Sequence, residues 1–163
     1  MGITDFIGGR GEGIAFARLT KLCRAGSDFP YFWPHFLGEK CETFDFLVEL
    51  VDAGAMTPFF FVQVKTARKE FHRSQQPPRL PVTVLERDVR RMVAYPAPTY
   101  VVGVHEVEER AFVIAVHGGM SETITSLTTA HELTADTLLR LWDEVREFWR
   151  VRQMAQSTSS FLN

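Results

Sequence analysis

The stretch F-D-F-L-V-E-L-V-D-A-G-A-M-T-P-F-F-F-V-Q-V-K-T, residues Phe44–Thr66, decides the fold of this chain. It predicts two strands joined by a turn at Asp52–Pro58, because alternating apolar residues flank a segment of turn formers. On the first strand, one face is apolar and consists of Phe44, Phe46, Val48 and Leu50. On the second strand, one face carries Phe60, Val62 and Val64. The opposite face carries Phe59, Phe61, Gln63 and Lys65.

Three polar residues stand out on this hairpin: Asp45 on the first strand, and Gln63 and Lys65 on the second. An antiparallel pairing across the turn brings Asp45 within reach of the other two. A divalent ion needs oxygen ligands, which a carboxylate and an amide carbonyl supply. Lys65 can hold a metal-activated water or stabilise developing charge on a phosphoryl group. The alternative is a structural ion pair between Asp45 and Lys65.

The order of these motifs resembles the PD-(D/E)XK nuclease superfamily, in particular its Mrr-like members and the DUF4365 group of prokaryotic domains. The resemblance covers about residues 10–116. It rests on five segments: the helix G-E-G-I-A-F-A-R-L (Gly11–Leu19), the Asp45 strand, V-Q-V-K (Val62–Lys65), a following helix, and P-A-P-T-Y-V-V-G-V (Pro96–Val104).

The resemblance implies a restriction-endonuclease-like core and assigns roles to single residues. Asp45 matches the metal-binding Asp, Gln63 the second motif position, Lys65 the catalytic Lys, and Glu12 the acidic residue of the first helix. It implies Mg²⁺ or Mn²⁺ held by Asp45, Gln63 and the Val64 carbonyl.

The sequence departs from the family pattern at three places. Phe44 stands where Pro is frequent, and Gln63 replaces a Glu, which leaves one negative charge fewer on the metal. Mrr-like relatives share that Gln. A Gly usually lies close before the Asp, whereas the nearest here is Gly38.

The resemblance also implies a function: metal-dependent hydrolysis of phosphodiester bonds, in DNA rather than RNA. The context would be prokaryotic anti-phage defence, in a homo-oligomer or a complex with a separate NTPase or sensor protein. One alternative is a catalytically inactive nuclease-fold subunit that binds or assembles, which the net acidity and the neutral Gln63 favour. In the other alternative, the motif match is accidental, and Asp45 and Lys65 point apart.

Composition predicts one globular domain over residues 1–154 and a flexible tail over residues 155–163. The chain has 163 residues, of which 45% are hydrophobic and 23% charged. Without a run of 18 apolar residues or a basic, apolar N-terminal leader, we expect neither a membrane span nor a signal peptide. Cys23 and Cys41 lack metal-binding spacing, so we expect free thiols in the cytoplasm.

Basic residues cluster after Lys65 although the net charge is −2. Between Lys65 and Arg91 the sequence has eight basic and three acidic residues. Phosphate binding depends on local charge, so this segment is a candidate nucleic-acid surface. The residues we expect to bind nucleic acid are Arg68, Lys69, Arg73, Arg87, Arg90 and Arg91. The alternative is a solvated loop and helix face.

The N-terminal third carries two further expectations. Residues 1–9 read as a partly mobile lead, followed by a helix over Glu12–Arg24 that stops before Gly26. Near the start of that helix, Glu12 could also serve only to stabilise the helix dipole. The aromatic segment Asp28–Leu37 has two prolines that exclude a long helix. It could pack in the core, form a partner or self-association surface, or stack on bases.

The remaining elements follow from periodicity. They are a loop over Ser74–Pro81, a helix over Val84–Tyr95, a hairpin of Thr99–His105 with Ala111–Val116, a short strand or loop within Ser121–Leu133, and a helix over Ala135–Gln153 capped by Thr134. The apolar stripe of the last helix predicts core packing, with dimer formation as the alternative. The order α-β-β-α-β-β-α predicts an α/β fold with a mixed central sheet flanked by helices.

Overall fold

A computed structural model describes residues 2–38, 41–55 and 57–152 of the chain. Its helices are α1 (Ile3–Leu19), α2 (Glu86–Ala94) and α3 (Ala135–Arg152). Its strands are β1 (Phe32–Phe36), β2 (Phe46–Leu50), β3 (Phe59–Ala67), β4 (Arg79–Leu80), β5 (Thr99–His105), β6 (Arg110–Val116) and β7 (Leu127–Thr128). A single 3₁₀ turn, Thr129–His131, leads toward α3.

Five strands form one mixed sheet in the order β1-β2-β3-β5-β6. All neighbours are antiparallel except β3 and β5. Parallel strands need a crossover connection, and this one carries β4 and α2 across one face of the sheet. The α/β class, with a mixed sheet flanked by helices, is therefore confirmed. The two predicted hairpins, β2–β3 and β5–β6, are both present.

The two faces of the sheet carry separate apolar clusters. One cluster joins the sheet to α1 and α3 and contains Phe60, Val62 and Val64 of β3. The other joins it to α2, β4 and β7 and contains Phe61. The predicted alternation along β3 is therefore confirmed. Phe44 is an exception to the predicted face of the first strand, because it packs in the α2 cluster while Phe46 lies in the other.

Helix α1 differs from the predicted helix at both ends. It begins at Ile3 and ends at Leu19, so Glu12 lies in its middle and the helix-dipole explanation does not apply. Glycines at 8, 9, 11 and 13 make this segment a poor helix former by propensity. Packing stabilises it instead, since Ala15 and Leu19 are fully buried against the sheet. The helix ends at Thr20, whose N–H and Oγ1 both donate to the Phe16 carbonyl.

Strand β1 is an element that the sequence analysis missed. The aromatic segment pairs with β2 and forms one edge of the sheet. The Tyr31 carbonyl accepts a hydrogen bond from the Val51 N–H, and the Leu37 N–H donates to the Asp45 carbonyl. The backbone N–H and C=O groups of the odd-numbered residues in β1 therefore point toward β2. Pro34 therefore faces the free edge, where its missing N–H removes no hydrogen bond from the sheet.

The C-terminal helix closes the fold from the α1 side. Thr134 caps α3 as expected, accepting a hydrogen bond from the Thr137 N–H at 3.4 Å. The indole N–H groups of Trp142 and Trp149 donate to the carbonyls of Val51 and Phe59, which flank the β2–β3 turn. The predicted tail, residues 155–163, lies outside the described residues. In the described ranges, no helix combines the length and the apolarity needed to cross a bilayer.

Candidate active site

Asp45 lies at a bend immediately before β2 and is fixed from both sides. Its N–H donates to the Val62 carbonyl at 2.9 Å, and its carbonyl accepts from the Leu37 N–H at 3.0 Å. The side chain is half-buried, and Oδ2 accepts the Val64 N–H at 2.5 Å. The carboxylate is thus held in one orientation, which leaves Oδ1 free for another ligand.

Gln63 lies on β3 between Val62 and Val64, the two residues whose backbone groups contact Asp45. The β2–β3 register ends at the pair Phe46 with Val62, and Asp45 follows beyond it at the bend. Gln63 shares the face of Phe61, on the α2 side of the sheet. Gln63 is only 4% exposed, and its Oε1 atom has no hydrogen-bond partner among the described residues. A buried carbonyl without a protein partner costs about 1–3 kcal/mol unless a water or another ligand bonds to it.

The backbone of Val64 adds a second oxygen on the same side. Its N–H points to Asp45. Because the N–H and C=O of one strand residue point in the same direction, the Val64 carbonyl also faces β2 and Asp45. The Asp45 carboxylate and the Val64 carbonyl therefore lie near each other at the start of β2, and hard oxygen donors of this kind suit Mg²⁺ or Mn²⁺.

Lys65 is half-exposed and follows Gln63 on the same face of β3. Its positive charge lowers the pKa of Asp45. The ion pairs of the described residues nevertheless do not include Asp45 with Lys65, so the structural ion pair considered above is not formed. The ammonium group of Lys65 is close enough to affect the charge of Asp45 but does not form an ion pair with it.

The net pKa of Asp45 lies above the ordinary value for an aspartate. Burial raises the pKa, and this effect exceeds the lowering by the Val64 hydrogen bond and by the Lys65 charge. Unfavourable burial of a negative charge is a common property of sites that bind cations or perform acid-base chemistry.

Glu12 reaches this site from α1. Burial raises its pKa, and the negative charge of Asp45 raises it further. Glu12 is therefore close enough to Asp45 for the two negative charges to repel each other. A bound cation would relieve the repulsion between the two carboxylates and lower both pKa values.

Gly11 explains how Glu12 comes so close. A Cβ atom at Gly11 would lie 1.8 Å from Oγ1 of Thr66, which α1 touches near the end of β3. Only glycine allows the helix to approach the strand at this point. Sequence analysis included Gly11 in the helix motif but gave it no role, and the spacing of Gly11, Glu12 and Gly13 was the signal that could have shown it.

The six candidate nucleic-acid-binding residues do not form one free basic surface. Four are engaged in ion pairs: Arg68 with Glu106 (3.0 Å), Arg87 with Asp88 (3.3 Å), Arg90 with Glu86 (2.5 Å) and Arg91 with Glu42 (2.7 Å). Lys69 and Arg73 are exposed and form no ion pair in the part of the chain that the structure describes. Acidic residues outside the counted segment, such as Glu42 and Glu106, provide much of this neutralisation.

The carboxylates, histidines and cysteines alone do not form a metal centre. In the described ranges, no three or more His, Cys, Asp or Glu side chains are grouped to hold an ion. The donors that the resemblance assigns are of another kind, because they combine one carboxylate, Asp45, with the neutral oxygens of Gln63 and Val64. Such a set binds a divalent ion more weakly than a cluster of carboxylates does.

Comparison with protein-family models finds no family that matches the sequence. Searches among curated proteins and among solved structures find no match either. The resemblance to PD-(D/E)XK nucleases therefore depends on the motif residues and on their order along the chain.

Proposed function

We propose that the protein is a metal-dependent nuclease that hydrolyses phosphodiester bonds, with DNA as its substrate. The observation that supports this most is the buried Oε1 atom of Gln63, which has no hydrogen-bond partner among the described residues and lies on the strand whose Val64 N–H fixes the Asp45 carboxylate. A structural glutamine would be expected to have a hydrogen-bond partner. Here the free oxygen, the Val64 carbonyl and Asp45 together suit a divalent cation.

Each residue of the site has a distinct task in this proposal. Asp45, Gln63 and the Val64 carbonyl would hold Mg²⁺ or Mn²⁺, which when bound supplies Lewis acidity and a water of lowered pKa. The Val64 N–H keeps the Asp45 carboxylate oriented. The ammonium group of Lys65 orients the attacking water by a hydrogen bond and stabilises negative charge on the phosphoryl oxygens. Glu12 accepts a hydrogen bond from a water of the same site.

The biological setting belongs to the same proposal and comes from the family resemblance. It is anti-phage defence in a prokaryotic cytoplasm, with a separate NTPase or sensor protein, or a second copy of the chain, as the partner. The few unpaired basic side chains near the site agree with a nuclease that depends on a partner for tight DNA binding.

The test is cleavage of supercoiled plasmid, linear duplex, single-stranded DNA and RNA in Mg²⁺ or Mn²⁺. Asp45→Ala and Lys65→Ala should each reduce the rate by about 100-fold or more, as expected for loss of a metal ligand or a charge-stabilising group. EDTA should abolish cleavage. Asp143→Ala and Lys21→Ala, which alter exposed residues of the same types, serve as matched controls. Cleavage that survives Asp45→Ala would refute the assignment of the site.

A second function, a catalytically inactive nuclease-fold subunit, is favoured by one observation. Three exposed aromatic side chains, Phe29, Trp33 and Phe36, lie in or beside the edge strand β1, at exposures of 61%, 60% and 57%. Exposed aromatic groups of this kind are typical of protein-binding surfaces. Titration with Mn²⁺ by calorimetry separates the two functions, because an inactive subunit need not bind metal in an Asp45-dependent way.

A further inference from the structure

A cleft of about 590 Å³ opens on the α2 side of the sheet. One wall is the segment before β2, including Glu42 and Thr43, and the other is the C-terminal end of α2, including Arg91 and Tyr95. Thr43 lies two residues before Asp45 and hence within about 7 Å of it along the backbone. The cleft therefore begins two residues along the chain from the proposed metal ligand.

We infer that this cleft binds an unpaired nucleotide next to the phosphodiester that is cleaved, and that Glu42 competes with the nucleotide's phosphate for Arg91. The inference rests on the proposed nuclease function and specifies its substrate as a single strand or a frayed end.

Tyr95 provides the surface on which the base stacks. Its ring packs edge to face against Phe44, with centroids 4.7 Å apart, and against Phe61 at 5.3 Å. The ring is thereby fixed, while the residue remains 42% exposed. Fixed and exposed aromatic rings are the usual stacking platforms for bases in single-stranded nucleic acid, and a base in a duplex cannot use one.

Arg91 provides the phosphate contact. The ion pairs of Arg87 and Arg90 are with residues of their own helix, Asp88 and Glu86. The Arg91 guanidinium instead reaches Glu42 on the opposite wall at 2.7 Å. Both side chains are solvent-exposed, and an exposed ion pair is weak. A phosphate, which accepts two charge-assisted hydrogen bonds from one guanidinium, can displace the Glu42 carboxylate.

Glu42 thereby lowers the affinity of the cleft in two ways. It occupies Arg91 in the free protein, and after displacement it remains beside a negatively charged phosphate. Removal of its charge should tighten binding, whereas removal of the Arg91 charge should weaken it. Opposite effects of two partners in one ion pair are not expected if the pair only stabilises the fold.

The experiment measures binding of fluorescently labelled 12-nucleotide oligo-dT and oligo-U, and of a 12-base-pair duplex, by anisotropy with the full chain in EDTA. Arg91→Ala should weaken single-strand binding about tenfold, and Glu42→Gln should tighten it about threefold. The double variant should bind like Arg91→Ala alone, because Glu42 acts through Arg91. Tyr95→Ala should weaken single-strand binding about fivefold or more and Tyr95→Phe should not, with a smaller effect on the duplex.

The exposed ion pair of Arg150 with Glu147 is the control, since it lies within α3 and neither residue lines the cleft. Arg150→Ala and Glu147→Gln should each change affinity by less than twofold. Equal effects of Arg150→Ala and Arg91→Ala would show that only general electrostatics governs binding and would overturn the inference. So would a neutral Glu42→Gln, or no binding of any oligonucleotide by the wild type.

The nuclease proposal and this inference fail separately. If Glu42→Gln and Arg91→Ala change the affinity in opposite directions but no substrate is cleaved, the nucleotide-binding cleft is supported and the nuclease proposal is refuted. If metal-dependent cleavage occurs but Glu42→Gln leaves the affinity unchanged, the nuclease proposal is supported and the cleft inference is refuted. The ratio of the oligo-dT and oligo-U affinities identifies DNA or RNA as the source of the nucleotide.

Discussion

The surroundings of Gln63 are the hardest to explain by the requirements of folding alone. Its backbone belongs to the central strand of the sheet, yet its buried Oε1 atom has no hydrogen-bond partner within residues 2–38, 41–55 and 57–152. An apolar side chain of similar size at this position would avoid the desolvation penalty. The glutamine therefore lowers stability in exchange for an oxygen that a ligand can use, as is common in functional sites.

We predict that Gln63→Leu raises the free energy of unfolding by about 1–2 kcal/mol, because it removes the unpaired carbonyl. For a chain of this length, the melting temperature should rise by about 2–8 °C. The same variant should lose Mn²⁺ binding in calorimetry, whereas Gln63→Glu should retain it. Gln75→Leu, at an exposed loop position, is the control and should change neither property. A destabilised Gln63→Leu variant that still binds metal would contradict the role of this oxygen.

Asp45 gives a prediction with a defined pH dependence. Because its pKa is raised in the folded state, its charge destabilises the fold at neutral and alkaline pH, and this penalty disappears as the pH falls through the folded pKa. Asp45→Asn keeps an oxygen for the Val64 N–H but carries no charge. We expect it to be more stable than the wild type by about 0.5–2 kcal/mol at pH 8.

Urea denaturation at pH 8 and at pH 4 measures this difference. The stability advantage of Asp45→Asn should shrink at pH 4, where the wild-type carboxyl is increasingly protonated. An advantage that grows toward low pH would show that the carboxylate stabilises the fold, as a salt bridge would. Glu147→Gln is a useful contrast, because Arg150 lowers the pKa of that exposed carboxyl.

At the level of elements, the contact between α1 and β3 assembles the site. Arg10 forms an ion pair with Glu106 at 2.7 Å, and Arg18 donates to the Glu109 carbonyl at 2.6 Å, so the helix is attached to the end of β5 and the turn after it. The close approach at Gly11 then sets the depth at which Glu12 enters the site. The helix is positioned by its contacts and not by its own propensity.

Gly11→Ala should destabilise the protein by about 1–3 kcal/mol, because the new methyl group collides with Thr66. It should also weaken metal binding by displacing Glu12. Thr66→Gly removes the atoms that collide, so the double variant should recover metal affinity relative to Gly11→Ala. Gly13→Ala is the matched control: a Cβ there meets nothing within 4 Å. It should stabilise the helix by about 0.5–1 kcal/mol. Thermal melts and calorimetry decide both points.

The elements also show which parts of the fold could be predicted from the sequence. The β2–β3 hairpin followed from alternation, because a strand has a fixed period of two and a turn sets the register. The start of α1 and the strand β1 could not be predicted in this way. Glycines and Pro34 are local signals against regular structure, and tertiary contacts overrule these signals. The change of side at Phe44 arises from the bend at Asp45, which no periodicity encodes.

At the level of the whole molecule, the site lies where three chain segments meet, at the junction of α1, β2 and β3. Residues about 30 and 50 positions after Glu12 in the sequence are brought to it by the sheet. The ion pairs that neutralise the basic segment were not predictable, because they join residues such as Arg91 and Glu42 that are far apart in the sequence. The composition of the basic segment showed its net charge, but not which acidic residues pair with its arginines.

Pro34 has a consequence for how copies of the chain can meet. An exposed edge strand normally offers alternating N–H and C=O groups to any extended chain nearby, and Pro34 removes the donor at the centre of the β1 edge. We predict that Pro34→Val retains the fold but self-associates with increasing concentration, as measured by sedimentation velocity, while Pro30→Val, in the preceding loop, stays unchanged. Equal behaviour of the two variants would show that the edge is protected by other means. One imino acid thus acts as a terminator of sheet growth at the β1 edge, and a homo-oligomer that meets at this edge must assemble through side chains.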